Sequence, residues 1–297
     1  MNSQLKKWLK LIFSPKGAVL PSVWLPVLIS IIGSTIITIF YKSGATWLNQ
    51  PTLVSLIPSV ILGLLLVFRT NTSYDRFWEG RKLIGSILID CRSLATLLWV
   101  NIPEKNPEDT TEKIANIRLL AVLFIAVKLH LRKEVANEEI KSLVTEKQYL
   151  ELKNVSHMPL RAIKWIGDYI KKIYDRDYID SVQLTAYNQY LEQLITRFTG
   201  CERILNTPLP PAYDIHLKHL LFISCAVVPF TLLASLGWFT IPAVAIITFA
   251  FFGIEAIGLE IENPFGYDAN DLPLDNLNDV LHSNIEELMM SDSPKEY

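Results

Sequence analysis

The chain has 297 residues, half of them hydrophobic and one-fifth charged, with a formal net charge of −2. A balance so near neutral leaves no basic footprint for nucleic acid, and three cysteines without a pairing pattern leave no disulfide framework. Mean hydropathy of +0.27 is high for a wholly water-soluble protein, yet the charge is too abundant for a chain immersed in lipid, so a membrane protein with a large water-exposed part is expected.

Residues 1–16 read as a basic amphipathic segment, with Leu5, Trp8, Leu9, Ile12 and Phe13 set against Lys6, Lys7, Lys10 and Lys16. Such a segment lies at a membrane surface or packs on its own protein. Residues 17–41 carry no charge. About 20 apolar residues cross a bilayer, so this is a first span. Ser30, Gly33, Ser34 and Thr38 give it a small-residue face. No cleavage motif of small residues follows it, so it reads as a retained span rather than a signal peptide.

After the turn KSGATWLNQP, a second apolar helix runs from Thr52 to Phe68, completing a hairpin over 17–68. Two stripes run down it at i, i+4 spacing, which places each on one helical face. Ser55, Ser59 and Gly63 are small; Val60, Leu64 and Phe68 are bulky. The bulky stripe faces lipid, a neighbouring helix or a narrow pore, and periodicity alone leaves all three open. Arg69 follows at once, and RTNTSYDRFWEGR is too rich in aromatics for a plain exposed loop, so the helix is expected to continue beyond the membrane.

Residues 69–215 show helical pattern with no credible span and form an expected cytosolic bundle. Their most apolar run, LLAVLFIAV, is bracketed by Arg118 and Lys128 and is too short to cross a bilayer, which fits a buried helix. Breaks are expected at 101–107, 135–138, 157–159 and 176–180. Asp180 with Gln183 forms a capping box for a helix whose seam is Leu184, Tyr187, Leu191, Leu194, Phe198, Cys201 and Leu205. The seam packs within one subunit or between subunits. Residues 216–260 hold an uncharged stretch too long for one span, and GWFTIP in its middle makes two spans joined by a tight turn. Residues 261–297 form an acidic turn segment and a final amphipathic helix carrying Leu277, Leu281, Ile285 and Leu288.

The fold class is therefore all-α, a four-span membrane protein with a helical bundle on one side. Lysines and arginines flank the first span's start and the second span's end, and the opposite turns carry only Lys42. The positive-inside rule places both termini and the central bundle of this multi-pass protein in the cytoplasm. No nucleotide-binding loop, nucleophile elbow or zinc spacing appears, so no enzyme is expected. Asp268 and Asp271 are candidate ligands for a hard cation such as calcium, although turn-stabilising aspartates are commoner. His216 and His219 share a helical face without a third ligand.

FRTNTSYDRFWEGR (68–81), GCERILNTPLPPAY (200–213) and IENPFGYDANDLPLD (261–275), in this order with these spans, resemble the bestrophin family in its bacterial branch. The resemblance covers nearly the whole chain. It implies a homo-pentameric channel of the inner membrane, passing small inorganic ions through one pore on the fivefold axis among membrane lipids. Its hydrophobic neck matches Val60, Leu64 and Phe68, which turns the bulky stripe towards a lumen. A second, cytosolic aperture falls at Val182. Animal bestrophins carry an unbroken acidic run after Asn-Pro-Phe-Gly and are calcium-gated; here YDANDLPLD interrupts it, so no cofactor is expected and calcium dependence is doubted. Animal members conduct chloride and bacterial relatives are linked to monovalent cations. Glu255, Glu260, Glu262, Asp268 and Asp271 crowd one end of the last span and tip the expectation to cations. Arg69 argues for anions if it faces the pore. A chloride channel of the same fold is the alternative, ahead of a secondary transporter or a membrane scaffold.

Overall fold

The computed structural model describes residues 4, 19–50 and 56–290, and every regular element among them is helical. The lead-in read over 1–16, apart from residue 4, and the polar tail lie outside the described residues. In chain order the helices are α1 (Leu20–Lys42), α2 (Leu56–Asn101), α3 (Pro107–Leu131), the single turn α4 (Glu138–Lys141), α5 (Glu146–Asn154), α6 (Met158–Asp175), α7 (Ser181–Asn206), α8 (Pro211–Leu236), α9 (Thr240–Glu260) and α10 (Leu274–Met290). Interruptions fall at or beside each of the four breaks the sequence marks between 69 and 215, and a further one falls at 142–145, which the sequence does not mark. The 46 residues of α2 form one helix, about 69 Å long at about 1.5 Å per residue, so the charged stretch after Phe68 does continue the apolar one.

The chain divides into two compact units: Met1–Phe77 with Pro208–Asp271, and Trp78–Thr207 with Leu272–Tyr297. In the first, α9 packs along α1, and α8 packs on both. The small face of α1 makes this contact possible. Ser34 and Thr38 are fully buried, and their hydroxyls donate to the Ile31 and Ser34 carbonyls of their own helix at 3.0 and 2.7 Å, so no donor is stranded. The buried positions of α9 are mostly small as well, among them Thr240, Thr248, Gly253 and Gly258. Small residues let helix backbones approach where water cannot drive them together. The rest of α1 is bare: protein covers only 17% of its apolar stretch, as suits a helix solvated by lipid.

The two hairpin turns lie side by side in this unit. The Gln50 N–H donates to the Phe230 carbonyl at 2.9 Å, and the Ala234 N–H donates to Asn49 Oδ1 at 3.3 Å. Gly237 turns the chain with φ of 54°, a left-handed conformation that favours glycine, and a Cβ there would sit 3.5 Å from Lys42 Nζ.

The second unit is built around α3. Its length and composition would allow a membrane crossing, but protein buries 72% of its apolar stretch, and every residue from Leu119 to Leu129 is buried. The surrounding helices are α6, α7 and α10. Lys128, at the end of this run, is buried with its charge met by Glu139 at 2.7 Å and Asp275 at 2.9 Å. The capping box on α7 forms as expected: Asp180 Oδ1 accepts from the Gln183 N–H at 2.8 Å, and Gln183 Oε1 accepts from the Asp180 N–H at 3.0 Å. Tyr187, Leu191, Leu194, Phe198 and Cys201 are buried within the chain, which makes the seam an internal one, and Ile204 takes the last core position in place of Leu205. In α10, Leu281 and Ile285 are buried as expected, but Leu274 and Asn278 complete the face instead of Leu277 and Leu288. The rotation follows Asn278, whose side-chain amide donates to Glu139 at 3.0 Å.

Candidate functional site

Within the first unit α2 has one packed face and one bare face. Leu62, Leu66, Arg69 and Ser73 are buried, at the spacing of a single helical face. Leu62 and Leu66 pack against Leu217 and Leu221 of α8, with Tyr213 and Phe252 alongside. Each residue turns the helix by about 100°, so Val60, Leu64 and Phe68 lie opposite this face. All three are exposed; Leu64 is 54% accessible and Leu62 only 1%. Among the described residues of this unit, nothing covers the bulky stripe. Gly63, on the flank between the faces, has open space where a Cβ would stand; Ser55 and the Ser59 side chain lie outside what the structure describes.

Arg69, the first charge after the apolar stretch, belongs to the packed face. It is 1% exposed, and its guanidinium reaches Asp214 Oδ1 at 2.8 Å and Glu262 Oε2 at 3.2 Å. The other Glu262 oxygen accepts from the Leu209 N–H at 2.9 Å, and the Glu262 carbonyl accepts from Arg76 Nε at 3.2 Å. The Tyr213 hydroxyl donates to the Leu65 carbonyl at 2.6 Å. The three sequence motifs thus meet at one charged cluster. Sequence reading placed Arg69 as a conditional pore charge and overlooked Asp214; the only available signal was that a lone arginine ending an apolar helix needs a partner if buried.

Three of the acids behind the cation leaning, Glu260, Glu262 and Asp271, accept hydrogen bonds inside the unit, while Asp268 is exposed. Glu255 is buried and Glu262 holds Arg69. Glu260 accepts from Asn270 Nδ2 at 2.9 Å, and Asp271 Oδ2 accepts from the Asp268 N–H at 2.8 Å. Glu260, Glu262 and Asp271 are therefore not a free negative field.

The Asn-Pro-Phe-Gly turn is self-contained. Phe265 is fully buried, and its N–H donates to Asn263 Oδ1 at 3.4 Å. A Cβ on Gly266 would stand 2.8 Å from Asp271 Oδ2, so the loop closes only over a glycine. Asp268 and Asp271 come together here, but one carboxylate oxygen of the pair already closes the turn. In the second unit Val182 occupies the first turn of α7 and is 75% exposed. His216 and His219 are both exposed on α8.

The family description "Bacterial/Fungal Bestrophin protein" matches residues 1–287. A voltage-dependent anion channel-forming protein of Nostoc sp. is 45% identical over 288 residues, 97% of this chain and 94% of the relative. A protein of the same name from Synechocystis sp. is 42% identical over 282 residues, 95% of this chain and 92% of the relative. Among solved structures, a bacterial bestrophin homologue from Klebsiella pneumoniae superposes with a TM-score of 0.83 at 26% identity, covering 92% of this chain and 98% of that one. The chain belongs to the bacterial and fungal bestrophin family, and is a bestrophin-like membrane channel rather than an enzyme.

Proposed function

We propose that five copies of the chain surround one central pore and pass small anions down their gradient. The observation that carries this reading is the bulky stripe of α2, exposed on the side opposite its packed face among the described residues of the first unit. Five such stripes around an axis form a neck of three apolar rings, Val60, Leu64 and Phe68, about 6 Å apart. A hydrated ion in the neck loses solvation and gains no hydrogen-bond partner, so the neck gates by dewetting. Val182 forms a second constriction at the cytosolic exit. The channel lies in the inner membrane, with 69–215 and both termini in the cytoplasm.

Anions replace the cations first expected. The relatives at 45% and 42% identity are named as anion channel-forming proteins, and three of the acids that favoured cations, Glu260, Glu262 and Asp271, are tied to internal partners. Calcium is not required in this reading, since Asp271 is held by the turn it closes. Purified protein in a planar bilayer under a potassium chloride gradient tests the sign of the ion. A reversal potential near the chloride equilibrium value is expected. A value near the potassium equilibrium value restores the cation reading, and a particle mass far from five chains removes the central pore.

A further inference from the structure

In the second unit three side chains converge. His130 is the penultimate residue of α3, His157 directly precedes α6, and Glu202 lies on α7. His130 Nε2 is 2.7 Å and His157 Nε2 is 3.2 Å from the same oxygen, Glu202 Oε1. The two imidazoles stack with centroids 4.5 Å apart, and the edge of Phe198 packs on His157 at 5.3 Å, which fixes the ring. All three side chains are partly buried, and their donor atoms lie within 4.8 Å of one another.

We propose that His130, His157 and Glu202 form a binding site for a divalent transition-metal ion of the zinc class. Imidazole nitrogen and carboxylate oxygen are the donors such ions take, at about 2.0–2.2 Å. Four donors in a tetrahedron at that radius stand about 3.3 Å apart, so the observed separations need shifts of about 1 Å or less. The rings already aim one nitrogen each at a shared point. Two protonated imidazoles stacked this closely would repel, and a single divalent ion takes the place of both Nε2 protons without that repulsion. Three protein ligands leave one position for water. A groove of about 510 Å³ lined by His130, Glu134, Ser156, Glu202 and Asn206 supplies the access. Because the ligands come from three separate elements, the bound ion pins α3, α6 and α7 together.

The test uses the full chain in detergent, tag-free and stripped with a chelator, titrated with zinc chloride. One zinc per chain and a raised melting temperature are expected. His130→Gln, His157→Gln and Glu202→Gln, each keeping a polar group in place, should each weaken binding at least tenfold, while His216→Gln with His219→Gln should leave it intact. Absence of uptake at micromolar free zinc overturns the site, and so does uptake lost in the control pair but kept in the three variants. Should a variant fail to fold, X-ray absorption on the wild-type zinc form decides. Scattering from two imidazoles supports the site, and its absence refutes it.

Discussion

Leu62 and Leu64 are two residues apart on one helix, and the structure gives them opposite fates when cut to alanine. Leu62 is buried among Leu66, Leu217 and Leu221. Leu62→Ala leaves a cavity there and should cost about 2–5 kcal/mol of stability. Leu64 is 54% exposed, so Leu64→Ala should change the stability of the fold by no more than about 0.5 kcal/mol. In a pore the same truncation opens the middle ring of the neck. A barrier lowered by about 1 kcal/mol corresponds to about a fivefold rise in ion flux. Chloride efflux from proteoliposomes, with assembly checked by size-exclusion chromatography and stability by thermal melting, reads all three quantities. Flux at the wild-type level together with a melting loss like that of Leu62→Ala would refute the reasoning, because Leu64 would then be a packing residue between subunits.

Arg69→Gln removes the buried guanidinium between Asp214 and Glu262, leaving Asp214 to Lys218 and Glu262 to the Leu209 N–H, and should destabilise the fold by about 3 kcal/mol, seen as a lowered melting temperature. Arg69→Lys keeps the charge off the bare face and should leave the reversal potential where the wild type has it. Gly266→Ala drives a methyl into the Asp271 carboxylate that holds the Asp268 N–H and should cost on the order of 1 kcal/mol, again read by melting. In acid, the second unit should loosen first along α10. Hydrogen bonds from Arg118 hold the Glu286 carboxyl below its ordinary value against the effect of burial. Burial would raise Asp275, but Lys128 and Arg132 outweigh it and hold that carboxyl low as well. Groups depressed in the folded state stabilise it fully above their unfolded values near about 4, and that contribution is lost as pH falls through the folded values. Protection against hydrogen exchange across Leu274–Met290, corrected for the intrinsic rate at each pH, should therefore fall below about pH 4 and stay flat between about pH 5 and 7; protection that is unchanged in acid counts against the pairing.

The fold was legible wherever a local rule decides. Helix breaks carry turn residues, the box at Asp180 needs two side chains three residues apart, and charge-free runs mark the spans. Apolar length alone would have misplaced α3, which is as capable of crossing a membrane as α1 by composition. The charges at its ends separate the two. Lys113 and Lys128 are buried and paired within the second unit, an arrangement that a protein core supplies and lipid does not. The faces of α7 and α10 were less legible. Ile204 against Leu205, and Asn278 against Leu277, are choices between adjacent positions that tertiary packing makes. A hydrogen bond to Glu139 fixes one of them.

The site was legible as a stripe but not as a direction. The i, i+4 rule groups Val60, Leu64 and Phe68 without saying what they face, and the i, i+4, i+7 set Leu62, Leu66 and Arg69 is equally regular. Burial distinguishes them, and it turns Arg69 inward with its two carboxylates. A charge read as exposed exerts a field on a passing ion, whereas the same charge paired in a closed cluster largely cancels its own. Counting acids at the end of a span therefore gave the wrong physical basis for ion sign. Asp271 and Glu260 are held within their own loop, by the Asp268 N–H and by Asn270, whereas Glu262 is held by Arg69 of α2, a partner that spacing along the chain does not show.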